Sequence, residues 1–224
     1  PAPTGDGLTG TWRLAPESGA LGVGPAQDDV SWWSNTTDDV ATRSCLFDDE
    51  YVFGADGSFH NLQGDQTCVE AWQGAAGEEC GAPVAPHDGS VADATYEFNG
   101  SSVTITGAGA YLGLAKVING AEIASPADAA DSITYIATLS EDGLSLELDI
   151  EVAGGGFWTF NLVKDAPPAP SALDGTWRLA PESGALGVGP GLNNVSWWSS
   201  TSDDVATRAC LFDDEYVFGD DGSL

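Results

Sequence analysis

The sequence predicts an all-β fold, an antiparallel meander that closes into a barrel or packs as a β-sandwich. Three observations predict it. Apolar and polar residues alternate with period two in one segment after another. Those segments are separated by short runs of Gly, Asn, Asp and Ser, which tolerate the backbone angles of tight turns. No stretch sustains an apolar repeat of 3.6 residues, and the 29 glycines of the 224-residue chain would interrupt one.

The elements follow in order. A strand is expected at 11–14, behind a Gly10-Thr11-Trp12 entry. Segments 46–53 and 58–62 flank Gly54-Ala55-Asp56-Gly57, a hairpin turn. The alternating run 67–72 reads as strand and ends in Trp72. A second hairpin joins 94–98 to 103–106 through Asn99-Gly100-Ser101-Ser102, and a third joins 133–140 to 144–152 through Glu141-Asp142-Gly143. Residues 157–164 close the set after Gly154-Gly155-Gly156. Eight to ten strands in this order resemble a lipocalin-like barrel. A jelly-roll sandwich is the alternative.

An internal repeat organises the chain. Positions 8–58 and 173–223 are identical at 42 of 51 sites. One complete β unit is therefore expected at 8–164, between a linker at 1–7 and a proline-rich spacer at 165–172 (DAPPAPSA). Residues 173–224 read as a truncated second copy. A third of a unit cannot close its own core, so the chain is expected to be a piece of a longer tandem array, with neighbouring copies as partners.

Charge excludes some functions. Six Lys and Arg stand against 35 Asp and Glu, a net charge of −29. Such a surface repels nucleic-acid backbones and anionic membranes. No apolar run approaches the roughly 18 residues of a membrane span. The sequence opens without a basic-then-apolar leader, so a secretion signal is expected to have been removed or to lie upstream.

The four cysteines, Cys45, Cys68, Cys80 and Cys210, form no CxxC pair, and there are two histidines. Disulfides fit better than zinc, and with the acidic composition they point to a secreted or cell-surface protein. Cys45 recurs as Cys210, so it belongs to the repeat. Its partner is Cys68 or Cys80. Pairing of Cys45 with Cys80 is favoured, because Cys68 sits in the strand-like run ending at Trp72; Cys68 and Cys210 are then left free or paired across units.

Three constellations could carry chemistry. Glu147-Leu148-Asp149-Ile150-Glu151 fits the ExDxE pattern of family-16 glycosidases, in which one face of a strand presents nucleophile, helper and acid/base carboxylates. The same alternation gives Leu144, Leu146, Leu148, Ile150 and Val152 an apolar face and makes Ser145, Glu147, Asp149 and Glu151 a solvated one. The chain is accordingly read as non-catalytic. The second constellation is aromatic. Trp32 and Trp33, with Trp72, Tyr111 and Trp158, supply rings on which sugars stack, and Asn35, Gln73, Asp38 and Asp39 supply polar partners. The third is acidic. Asp38, Asp39, Asp48, Asp49 and Glu50 are hard oxygen ligands of the kind calcium takes, and calcium is the one cofactor considered. In a strand over 46–53, Asp49 shares a face with Phe47, Tyr51 and Phe53. Whichever face turns inward carries a carboxylate that must be hydrogen-bonded, metal-bound or at the rim. His60 and His87 read as structural or surface residues.

The strings GTWRLAPESGALGVGP, SWWS, CLFDDEYVFGADGSF, VEAWQG, CGAPVAPHDGS, GAYLGL and FWTFNLVK resemble a repeat module of secreted proteins from marine Bacteroidetes. That module is similar to accessory domains beside family-16 glycoside hydrolases such as laminarinases. The resemblance covers nearly all of 8–164 and implies binding of β-glucan or another algal polysaccharide. Cys68 departs from it, standing where an aromatic such as Trp is expected. The rival expectation is a structural repeat of an extracellular adhesin or filament, assembled by strand donation and stabilised by calcium.

Overall fold

The computed structural model describes residues 7–165, 175–192 and 194–218. The chain divides into two compact units that part between Asp165 and Ala166. Apart from Gly7 and Asp165, the expected linker at 1–7 and spacer at 165–172 lie outside the described residues, as does the end of the second copy.

In the first unit the chain runs through β1 (Gly10–Leu14), β2 (Leu21–Gly24), β3 (Trp33–Ser34), α1 (Thr37–Thr42), α2 (Ser44–Phe47), β4 (Glu50–Phe53) and β5 (Phe59–Leu62). A two-stranded ribbon follows, β6 (Thr67–Val69) with β7 (Glu79–Gly81). Then come β8 (Thr95–Phe98), β9 (Ser102–Thr106) and a second ribbon, β10 (Val117–Ile118) with β11 (Ala121–Glu122). The unit ends in β12 (Ser132–Leu139), β13 (Ser145–Glu151) and β14 (Phe157–Lys164).

Hydrogen-bonded neighbours in the main sheet run β5-β4-β1-β14-β13-β12-β9-β8, with β2 and β3 branching from β14. The outermost strands meet at a bridge between Ser58 and Thr95. There the Phe59 amide donates to Ala94 O and the Tyr96 amide to Gly57 O, both at 2.9 Å. Taken around the ring, the eight wall strands follow sequence order, and β1 pairs with β14 to complete it. This is a nearly closed up-and-down barrel of antiparallel strands, the meander that the hairpin spacing predicts.

Direction alternates around such a barrel, so the connections alternate ends. The three tight hairpins, at 54–58, 99–101 and 140–144, lie at one end. The other end receives the longer connections: β2, β3, α1 and α2 between β1 and β4, the first ribbon between β5 and β8, the segment with the second ribbon between β9 and β12, and the glycine-rich 152–156.

Alternation also decides what fills the interior. In β12, Ile133, Tyr135 and Ala137 are buried while Ser132, Thr134 and Ile136 face out. Trp12, Tyr51, Phe53, Phe59, Tyr96, Tyr135 and Phe160 are all fully enclosed. Phe53 lies edge-on between Phe59 at 5.2 Å and Tyr96 at 4.8 Å. Each such ring contributes about 1.5–3 kcal/mol by leaving water. The buried Trp12 indole donates to Leu8 O at 2.7 Å, so its polar atom is satisfied.

Two expected strands are corrected. The segment 46–53 begins as helix: α2 runs to Phe47 and the strand starts only at Glu50. The helical start is set upstream by a capping box, in which the Thr36 hydroxyl accepts from the Asp39 amide at 3.2 Å and the Asp39 carboxylate accepts from the Thr36 amide at 2.7 Å. Six- and four-residue helices are too short to show a 3.6 period. The run 67–72 is strand only to Val69; Ala71–Gln73 is a 3₁₀ turn, held where the Glu70 amide donates to the Gln73 side chain at 3.1 Å.

The second unit repeats the start of the first. Its elements are β15 (Gly175–Trp177), β16 (Gly187–Val188), β17 (Trp198–Ser199), α3 (Ser202–Thr207), α4 (Ala209–Phe212) and β18 (Tyr216–Phe218). β15 pairs with β18 and β16 with β17, as β1 does with β4 and β2 with β3. Trp177 is 48% exposed and Tyr216 43%, whereas their counterparts Trp12 and Tyr51 are enclosed.

Candidate functional site

The long connections build a cleft of about 240 Å³ at their end of the barrel. Its floor is the loop at 111–113, which buried barrel side chains hold by its backbone. The Tyr51 hydroxyl bonds both Gly113 N and Gly113 O at 3.2 Å. The Tyr135 hydroxyl takes Leu112 N at 3.0 Å and gives to Leu112 O at 3.2 Å. The Asn61 amide donates to Tyr111 O at 2.8 Å. Loop carbonyls and amides that would otherwise be orphaned inside the barrel mouth are thus satisfied. Gly113 is required there: its φ is +76°, and a Cβ would stand 2.3 Å from the Phe160 ring.

Three indoles converge on this cleft from separate elements: Trp33 from β3, Trp72 from the 3₁₀ turn and Trp158 from β14. Trp158 is nearly buried, stacked on Phe160 at 6.2 Å, edge-on to Trp33 at 6.2 Å, and donates its indole N–H to Glu122 at 2.7 Å. It is floor. Trp33 is 37% exposed and Trp72 half-buried, so these two rings keep area for a ligand. Tyr111 and Gln73 complete the predicted residues that line the cleft.

The rim is charged in pairs. Arg43 reaches Glu78 at 2.8 Å and lies 5.5 Å over the Trp33 ring. Lys116 reaches Glu70 at 2.8 Å and lies 5.7 Å over Trp158. The other Glu70 oxygen accepts the Trp72 indole N–H at 2.9 Å. Carboxylates, cations and the Gln73 amide therefore offer both donors and acceptors beside aromatic faces, with the charges balanced. A larger hollow of about 500 Å³ opens by Gln63 and Cys80, but acids such as Asp48, Glu50 and Asp65 line it and no ring does.

Other predicted residues lie elsewhere. Trp32 is 60% exposed and outside the cleft, with its ring against Gly156. Asn35 is buried: its side chain accepts from Leu21 N and donates to Glu17 O, both at 2.8 Å, so it fastens β2. The five acids considered for calcium are not gathered. Asp39 caps α1 and Asp38 is exposed on the same turn; Asp48 is exposed in a separate loop; Glu50 pairs with Arg13 at 2.7 Å. Among the described residues no group of three or more His, Cys, Asp or Glu is placed to hold a metal.

Asp49 is the inward carboxylate, alongside Tyr51 and Phe53. One oxygen accepts from the Thr67 hydroxyl at 2.6 Å and the other has no protein partner. Burial, against the Thr67 bond that opposes it, pushes this acid up to about 8. On β13 the apolar face is as expected from Leu146 to Val152, but Leu144 is exposed. The opposite face is corrected at one position. Asp149 is buried, because the loop before β3 folds over it: Asp28 N donates to it at 3.0 Å and the Thr159 hydroxyl at 2.6 Å. Asp149 is a latch for that loop. Burial and the nearby Asp28 and Asp149 charges raise Glu147.

The disulfide joins Cys45 to Cys80 and leaves Cys68 and Cys210 as free thiols. His87 is buried between the Trp72 and Tyr111 rings, and burial lowers its pKa. No helix among the described residues is long and apolar enough to cross a membrane. Residues missed in the sequence are Arg43, Glu70, Glu78 and Lys116. The scarcity of cations was a usable signal: of the four in the first unit, two line one cleft.

Fold and cleft together define a small up-and-down β-barrel bearing an aromatic, charge-paired cleft on its long loops. No protein-family model matches the chain, and no curated protein matches it.

Proposed function

We propose that the chain is a non-catalytic carbohydrate-binding module, with the cleft between Trp33 and Trp72 as its saccharide site. The observation that carries this reading is the convergence of indoles on a pocket whose polar groups are already paired and fixed. Sugar C–H faces stack on such rings, while hydroxyls bridge acid and base. With the rim balanced and the chain at −29, an uncharged chain such as β-glucan suits the site and a polyanion does not. The disulfide and the acidic composition support a secreted or cell-surface location.

Calorimetry against laminarin, xylan, agarose and alginate tests the reading. Laminarin binding that is lost in Trp33→Ala and Trp72→Ala and kept in Trp32→Ala is expected. Binding of none of the four glycans would overturn it.

A second reading rests on a different observation. The second unit repeats the start of the first at 42 of 51 positions and with the same strand pairings. This favours a structural repeat of an adhesin or filament whose units take strands from neighbouring copies. Concentration-dependent polymers without glycan binding would support it.

A further inference from the structure

We propose that Cys45, Cys68 and Cys80 form a thiol–disulfide exchange site, in which Cys80 can pair with either of the other two.

The placement comes from the ribbon. Cys68 and Cys80 are direct register partners between β6 and β7. Directly opposed residues in an antiparallel ladder point to the same side, with Cα atoms about 4.5–5.5 Å apart. A disulfide spans about 4.4–6.8 Å between Cα atoms. The backbone therefore already suits a Cys68–Cys80 bond, while Cys80 is in fact joined to Cys45 on α2. Cys68 and Cys80 also line one small hollow of about 140 Å³ beside Arg43 and Glu78, so both residues border the same space.

The exchange balances without an outside oxidant. The Cys68 thiol loses its proton, and the thiolate attacks Sγ of Cys80. The Cys68–Cys80 bond forms as the Cys45–Cys80 bond breaks, and Cys45 leaves as a thiolate that takes up a proton. The number of disulfides is unchanged. What changes is the tether: α2 is no longer tied to the ribbon.

The resting state is guarded. Burial, the Glu78 charge and, less strongly, Glu70 hold the Cys68 thiol up at about 12, with Arg43 opposing. Its thiol contacts Glu78 at 3.7 Å. Exchange should therefore be slow at neutral pH and accelerate with alkali.

The test uses the full chain carrying Cys210→Ser, which removes the exposed thiol of the second unit. Protein incubated at pH ~9 is quenched in acid, labelled under denaturing conditions with N-ethylmaleimide and mapped by peptide mass spectrometry. Initially the label sits on Cys68. It is expected to spread to Cys45 until that thiol carries about a tenth or more of the label, an isomer gap of at most about 1.4 kcal/mol. In a second arm, the Cys45→Ser, Cys210→Ser chain is expected to form Cys68–Cys80 under oxidised glutathione with its circular dichroism retained. Label confined to Cys68 overturns the proposal, and so does a second-arm protein that folds but keeps two free thiols.

Discussion

Asp49 accepts a 2.6 Å hydrogen bond from Thr67 while its other oxygen lies enclosed without a protein partner. A carboxyl so placed is easier to bury protonated than charged, and its pKa rises from 3.8 to about 8. The folded state then holds a proton that the unfolded state releases, so stability falls as pH rises from about 4 toward about 8, by at most about 1.4 kcal/mol per pH unit. His87 acts in the opposite sense: its lowered pKa makes stability fall below about pH 6.5. Asp49→Asn keeps the shape and removes the charge. Urea unfolding across this range should give a flatter profile for the variant, with its largest advantage at the alkaline end.

Trp12 and Trp177 hold the same place in the two copies but differ in burial, 0% against 48%. Trp12→Ala is expected to cost about 3–5 kcal/mol, since it leaves a cavity in the barrel. Trp177→Ala should cost less than about 1 kcal/mol. Near-UV circular dichroism during denaturation measures both. Equal costs would mean that the second unit is closed in solution.

Asp149 latches the loop before β3 through Asp28, which has a positive φ of 55°. Asp149→Ala removes the acceptor of a buried hydroxyl and a strained amide, and is expected to cost about 1–3 kcal/mol. Hydrogen exchange should quicken at the Asp28 amide. An unchanged amide would show that the loop holds itself.

Lys116 ties the cleft together by pairing with Glu70, which in turn holds Trp72. Lys116→Ala should weaken glucan binding by about tenfold, or about 1.4 kcal/mol. Because the rim charges pair with one another, affinity in the unaltered protein should change little between low and high salt. A steep salt dependence would mark an ionic ligand instead.

Much of the barrel could be read in the sequence, because its causes are local. Asn99-Gly100 and Asp142-Gly143 mark hairpins by backbone preference, and Ile133, Tyr135 and Ala137 mark the inward face by period two. Helices α1 and α2 were hidden by their brevity, though the Thr36–Asp39 cap was a visible cue. Trp33, Trp72 and Trp158 could be named one by one. That they meet depends on three chain segments crossing at a barrel mouth. The partners Lys116 and Glu70 lie 46 residues apart, and no spacing rule reaches that far.

The separation of hairpins and long connections onto opposite ends has a practical corollary. A tag, dye or surface attachment at the Asn99-Gly100-Ser101 turn would sit a full strand length from the Trp33–Trp72 cleft. Proteins immobilised through that turn should stand upright on a sensor chip, with the cleft facing the flowing solution.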